Sequence, residues 1–195
     1  MTSAKPTRSA ASGRTRTRML CEGAIMVALA QILSYIKIME LPNGGSLTPA
    51  MFPILLFAVR WGLKDGLLAG FVFGLLQLIF DGAYAWGWQS ILGDYIVAYT
   101  LLGLAGLFHK NPYGYFYGVL VGGLARFLSH YITGATLWAE YMPDTFFGMT
   151  MTSPWFYSAL YNGSYMLVDM IVCVVVGWAL WKPLGKYIRG EDLQK

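Results

Sequence analysis

The sequence predicts an all-α integral membrane protein with six transmembrane helices and both termini in the cytoplasm, and three observations carry that expectation. Of 195 residues, 56% are hydrophobic and only 12% are charged, about half the charged share of ordinary soluble domains. A mean hydropathy of +0.51 in a 21.6 kDa chain leaves more apolar surface than a small globule can bury without lipid. The lysines and arginines also gather on one side of the apolar runs, the distribution that sets membrane topology. The net charge of +4 therefore reports orientation, and no nucleic-acid partner is expected.

Taken in order, residues 1–18 hold Lys5, Arg8, Arg14, Arg16 and Arg18 and no acid, and read as a basic cytoplasmic tail. The membrane domain is expected over residues 19–185, with a short cytoplasmic tail over 186–195. Residues 20–38 form the first apolar run, near the ~20 residues that a spanning helix needs, and Glu22 close to its start suits a helix N-terminus. Leu41-Pro-Asn-Gly-Gly-Ser46 is a turn signal. The stretch 48–59, with Pro49 and Pro53 and ending at Arg60, covers as a helix only about half of a ~30 Å hydrocarbon core. It reads as a short, irregular or deeply tilted span, tolerable where protein surrounds its backbone.

Residues 66–80, 90–108, 115–131 and 155–181 supply four more spans. Gly66, Gly70 and Gly74 repeat at four-residue spacing, as do Gly114, Gly118 and Gly122, and such faces let helices approach closely. With six spans, every basic residue except Lys37 and Arg126 falls on the side of the termini, which places both termini inside. The outward loops then carry Glu40, Asp81, Glu140 and Asp144 among Tyr84, Trp86, Trp88, Trp138, Tyr141 and Trp155. Cys21 and Cys173 lie in apolar runs without C-x-x-C spacing and read as buried thiols.

Ionisable groups at membrane depth are costly unless they face a cavity or one another, which singles out Asp94, Arg126, His130 and Asp169. Arg126, His130, Gly134 and Trp138 are spaced at four residues, a stripe along one helix face if the helix continues that far. A bare Gly beside a Trp leaves room for a flat ring against the indole, and Asp94, Tyr95, Tyr157 and Asn162 add charge and hydrogen bonds. That set suits a cationic heteroaromatic ligand. A purely structural Asp94–Arg126 salt bridge and an interfacial aromatic belt explain parts of the same pattern. Asp169 shows no evident partner. His109 and His130 fall on opposite sides of the membrane and cannot share a metal. Neither protease, hydrolase nor Walker A motifs occur, so an enzyme or a self-powered ATPase is not expected, and no cofactor is implied.

With these residues in view, the chain resembles the thiamine-specific substrate-binding (S) components, of ThiT or YuaJ type, of energy-coupling factor vitamin transporters. The resemblance covers most of residues 20–182. It rests on Leu41-Pro-Asn-Gly-Gly-Ser46, on Arg60-Trp-Gly-Leu-Lys-Asp-Gly66-Leu-Leu-Ala-Gly70, on Asp94-Tyr95-x2-Ala98-Tyr99, on the Arg126/His130/Gly134/Trp138 stripe and on Tyr157-Ser-x2-Tyr-Asn162. It implies a multi-pass protein of the bacterial plasma membrane that holds thiamine near the outer face. Energy then comes from a separate module, a transmembrane coupling protein with two ATPase subunits. It also implies that Asp94, Tyr95, Arg126, His130, Gly134, Trp138, Tyr157 and Asn162 surround the ligand. Family members carry Glu or Asp at the first of these.

Ala24-Ile-Met-Val-Ala28 resembles the small-residue motif by which such components dock on the coupling protein, although packing within the monomer fits the spacing equally. Asn43 stands where the family loop has Gln. The Gly-Gly pair beside it suggests that residues 42–46 close as a lid. Three other readings remain open at this point: a component for another vitamin or a pyrimidine precursor, a stand-alone secondary transporter, and a membrane enzyme using Asp94 and His130.

Overall fold

A computed structural model describes residues 8–80 and 85–193, with backbone only for residues 8–12 and 14. Residues 1–7, 81–84 and 194–195 lie outside the described residues, and with them Asp81 and Tyr84 of the expected outward loop.

Helix α1 spans Arg8–Ser34. It begins well inside the expected tail and ends four residues before position 38, where a turn at Tyr35 and Ile36 leads out. Glu22 is therefore a mid-helix residue and not an N-terminal one. A two-residue hairpin follows, β1 (Met39–Glu40) against β2 (Ser46–Leu47), with Met39 opposite Leu47 and Glu40 opposite Ser46. Its tip is a tight turn at Pro42–Gly44, where Asn43 takes φ 66° and Gly44 φ 91°. Asn tolerates this left-handed region far better than most side chains.

Helix α2 (Met51–Trp61) has 11 residues, and every one from Met51 to Arg60 is buried. The expectation of a short span enclosed by protein holds, but the helix is regular, because Pro53 sits in the first turn, where no intrahelical N–H is required. Gly62, at φ 94°, turns the chain directly into α3 (Leu63–Phe80). Helix α4 (Gly87–Phe108) changes its winding along its length. It is π-helical over Ile91–Val97 and 3-10 over Leu101–Phe108, with α-helical turns at Gly87–Ser90 and Ala98–Thr100. Helix α5 runs Gly114–Thr136 and α6 Pro154–Ile188. Between them β3 (Thr145–Phe146) and β4 (Met149–Thr150) form a second hairpin. Ser153 accepts from Phe156 N and Pro154 follows it, so α6 starts with a side-chain cap and a pre-set first residue. At 35 residues it is ~52 Å long, and it carries the chain past position 185.

Among the described residues, four segments can cross a membrane by length and composition: Thr15–Ser34, Leu63–Phe80, Gly87–Phe108 and Pro154–Leu193. Helix α5 is long enough, but Arg126, Ser129 and His130 dilute its hydropathy. Its opposite face bears the exposed residues Leu120, Leu124, Leu128 and Ile132, an apolar stripe at four-residue spacing suited to lipid.

Both glycine stripes lie at helix contacts. A Cβ at Gly70 would strike Tyr99 O and one at Gly74 would strike Tyr95 O, while Gly118 and Gly122 meet Ala105 and Leu102 O. Backbone thus touches backbone between α3 and α4, which fixes where the π segment with Asp94 and Tyr95 stands. At the opposite end, Arg60 is not a loop-end cation as its position in the sequence implied. Its side chain is fully buried between Glu22 (2.8 Å) and Asp192 (2.6 Å) and lies 3.7 Å above the Tyr187 ring. Cys173 is buried as expected, whereas Cys21 is exposed.

Candidate functional site

The eight candidate residues Asp94, Tyr95, Arg126, His130, Gly134, Trp138, Tyr157 and Asn162 line one cavity, at the end of the bundle that bears both hairpins. Its walls come from α4, α5, α6 and the β1–β2 turn, which adds Asn43, Gly44, Gly45 and Ser46.

Asp94 organises the cavity. Its Oδ1 accepts from His130 Nδ1 at 3.0 Å and from the Thr133 hydroxyl, and its Oδ2 accepts from Ser90 Oγ at 2.8 Å and Trp138 Nε1 at 3.0 Å. Four donors on one carboxylate fix the planes of the imidazole and indole rings. With Nδ1 donating, neutral His130 presents Nε2 as an acceptor, and that buried atom has no protein partner among the described residues. The π winding assists, since Ser129 Oγ donates to Gly93 O at 2.7 Å and ties the loosened turn to α5. Single π turns are frequent at functional sites.

The structural Asp94–Arg126 salt bridge does not form. Arg126 instead lies over the Tyr99 ring at 4.4 Å, with Nη2 donating to Tyr99 OH at 3.2 Å. From Tyr99 a buried polar chain continues to Gln77 (3.4 Å) and on to Gln31 (2.9 Å) and Ser34 (3.0 Å) of α1. Asp169 has the partner that the sequence left unassigned, Thr48 N at 2.9 Å, just beyond the β1–β2 hairpin.

Two expectations about the stripe on α5 need correction. Helix α5 ends at Thr136, so Trp138 is placed by the turn that follows and not by the helix. Gly134 does not leave a void for a ring, because a Cβ there would meet Ser158 Oγ and Asn162 Nδ2 of α6. The glycine serves the approach of two helices. Asn162 is engaged as well, with Nδ2 donating to His130 O (3.2 Å) and Oδ1 accepting from Tyr165 OH (2.9 Å).

Sequence reasoning overlooked Tyr161 and Tyr165 as site residues. Tyr157, Tyr161, Tyr165 and Asp169 recur every four residues, so the signal was a second stripe on α6 facing the first on α5. Tyr161 does most with this position. Its hydroxyl accepts from Gly45 N at 2.9 Å and donates to Pro42 O, so it holds both sides of the hairpin turn. A Cβ at Gly45 would collide with that hydroxyl. Phe146 of the second hairpin packs edge-on against Tyr157 at 5.4 Å. At the rim, Tyr141 joins Trp86 and Trp138, each at 5.4 Å. Trp88 and Trp155 are largely exposed and fit an interfacial belt. A carboxylate, aromatic faces and an imidazole nitrogen without a protein partner among the described residues, all within one cavity, can hold a flat cation that also carries a hydrogen-bond donor.

Known proteins resemble this chain over most of its length. The chain is 33% identical to the thiamine transporter ThiT of Bacillus subtilis over 187 residues, 88% of this chain and 94% of that one. It is also 33% identical to ThiT of Lacticaseibacillus paracasei over 177 residues, 81% and 84% of the two chains. The solved structure of ThiT from Listeria monocytogenes superposes with a TM-score of 0.78 at 25% identity, covering 89% of this chain and 98% of that one. The model of the thiamine transporter protein family, Thia_YuaJ, matches residues 20–188, and with its membrane-spanning helices the chain is a multi-pass membrane protein belonging to that family.

Proposed function

We propose that this protein is the substrate-binding component of an energy-coupling factor importer, capturing thiamine at the outer face of a bacterial plasma membrane. The observation that carries the reading is the convergence of the eight candidate residues on one cavity around a carboxylate saturated with donors. Thiamine joins a thiazolium cation to an aminopyrimidine. The Asp94 charge offsets the cation, Trp138, Tyr95 and Tyr157 offer ring faces, and His130 Nε2 accepts from the exocyclic amine. Gly134 and Asn162 keep α5 and α6 close enough to shape the wall, and Arg126 forms its floor with Tyr99.

In this proposal all six helices, including the short α2, belong to the membrane domain, with both termini cytoplasmic. The β1–β2 turn is the lid, latched by Tyr161. Ala24 and Ala28 are exposed on α1 and border an apolar groove against α2 and α3, so they are available to a transmembrane coupling protein. The chain carries no Walker A motif, and ATP hydrolysis falls to two partner ATPases.

The test is a titration of the purified, thiamine-depleted protein in detergent, followed by tryptophan fluorescence and calorimetry. Saturable quenching is expected, to be largely lost in Trp138→Phe. Trp138→Ala weakens binding by about 1–3 kcal/mol through lost ring contact. Absence of calorimetric thiamine binding by the native chain would overturn the reading.

A further inference from the structure

At the end of the bundle opposite the candidate site, a second cleft lies between the α4–α5 turn and the C-terminal end of α6. It is lined by His109, Lys110, Asn111, Arg189 and Glu191, with Arg60 at its back. The Arg60 charge is already taken up by Glu22 and Asp192, and Arg189 Nε meets Glu191 at 2.5 Å. Lys110 has no ion-pair partner among the described residues and is exposed together with His109. The cleft therefore holds an excess of positive charge.

The start of α5 adds to it. Its first turn contains no acidic residue, and Asn111, which lines the cleft, accepts from Tyr113 N through Oδ1 at 2.8 Å just before the helix begins. The N-terminal end of the helix carries positive dipole charge. Beside the cleft stands an aromatic slab, in which Tyr113 stacks on Trp181 at 6.0 Å and 8° and Arg189 lies 5.4 Å from the Trp181 ring. Tyr113, Leu107, Tyr117 and Leu184 are exposed around it. Basic groups next to interfacial aromatics and outward apolar side chains provide for both halves of an amphiphile.

We infer that this cleft is a binding site for the phosphate-bearing headgroup of an anionic phospholipid, its acyl chains lying along the apolar surface by Leu107 and Tyr117. The ligand chemistry is a phosphate monoanion or diester. The lipid source is favoured over free phosphate because Arg189 of the cleft lies against the Trp181 ring, which stacks on exposed Tyr113, so apolar surface adjoins the basic groups. Lys110 and Arg189 supply the charge. Asn111 supplies an amide N–H, and the Arg189–Glu191 pair opens or shares its guanidinium when the anion enters.

The test uses the full chain in nanodiscs and detergent. Retention of phosphatidylglycerol against phosphatidylcholine is read by native mass spectrometry, and thermal midpoints are measured with each lipid and with inorganic phosphate. Preferential retention of phosphatidylglycerol is expected, falling roughly fivefold for each cation removed in Lys110→Gln and Lys110→Gln/Arg189→Gln. Lys64→Gln, an exposed cation outside the cleft, retains the preference. Lys110→Gln alters only an exposed side chain, so its result stands even if the double variant is poorly folded. Stabilisation by inorganic phosphate that equals that of the lipid would assign the same cleft to a soluble phosphate. Equal retention of the two lipids without any phosphate effect, or a preference unchanged in Lys110→Gln, would overturn the site.

Discussion

Asp94 shows how a residue that the sequence singles out can have more structural partners than its position suggests. Its type and depth mark it as functional, because an isolated carboxylate in a membrane is expensive. What the structure adds is that it holds His130, Thr133, Ser90 and Trp138 at once, so it builds the site as well as charging it. Tyr161 is the converse case, one of thirteen tyrosines that stands in the Tyr157-Ser-x2-Tyr-Asn162 motif without an assigned role. Its hydroxyl bonds to Gly45 N and Pro42 O, and a net bond is worth about 1 kcal/mol. Tyr161→Phe keeps the ring and removes both bonds. It is expected to speed thiamine dissociation roughly tenfold in stopped-flow chase experiments while the protein stays folded. An unchanged dissociation rate would show that the turn is not latched there.

Among the elements, the contact between α3 and α4 matters most. Gly66, Gly70 and Gly74 are legible as a smooth face, and they meet the α4 backbone from Tyr95 to Gly103. Gly74→Ala places a methyl against Tyr95 O, so the π segment has to shift. Overpacking of this kind costs about 1–3 kcal/mol. Both a lower thermal midpoint and weaker thiamine affinity are expected, since Asp94 and Tyr95 ride on the displaced turn. Gly13→Ala, within α1 and with nothing within 4 Å of the added atom, is the control: it does not lower the thermal midpoint, since Ala favours a helix over Gly, and it leaves the affinity unchanged. Loss of stability without loss of affinity would mean that the glycine face sets packing but not the site. The π winding of α4 was not readable, because an i+5 bond is chosen by neighbours such as Gly74 and Ser129 and leaves no periodic mark in the residues themselves.

Across the whole molecule, the two ends of the bundle are held by different chemistry. The end with the candidate site relies on the β1–β2 hairpin, whose turn Tyr161 holds and beyond which Asp169 accepts from Thr48 N. The end with the termini relies on Arg60, bonded to Glu22, Asp192 and the Tyr187 carbonyl while Trp61 Nε1 donates to Glu22 at 2.7 Å. This network ties α1, α2 and α6 to the last described residues of the chain. Arg60→Gln removes a buried cation and leaves the part-buried Glu22 and Asp192 with Arg18 as their cation, and it is expected to destabilise the protein by about 1–3 kcal/mol. The loss would be read as a fall in thermal midpoint, whereas the affinity of the surviving folded fraction for thiamine remains near native because the cavity is distant. A thermal midpoint equal to that of the native protein would show the network to be dispensable.

What the sequence determined by itself is set by local rules. Helix positions follow from apolar run length, the helix-contact faces from glycine spacing, and the candidate site from polar residues placed where lipid forbids them without a purpose. The tertiary structure decided what depends on partners distant in the chain. It exchanged Arg126 for His130 as the neighbour of Asp94, gave Asp169 the Thr48 amide, filled the space beside Gly134 with α6, and turned Arg60 from a loop-end cation into a buried one. Each of these is a choice among several polar groups of suitable type, and the choice is made by which backbones can come close enough for a hydrogen bond to form.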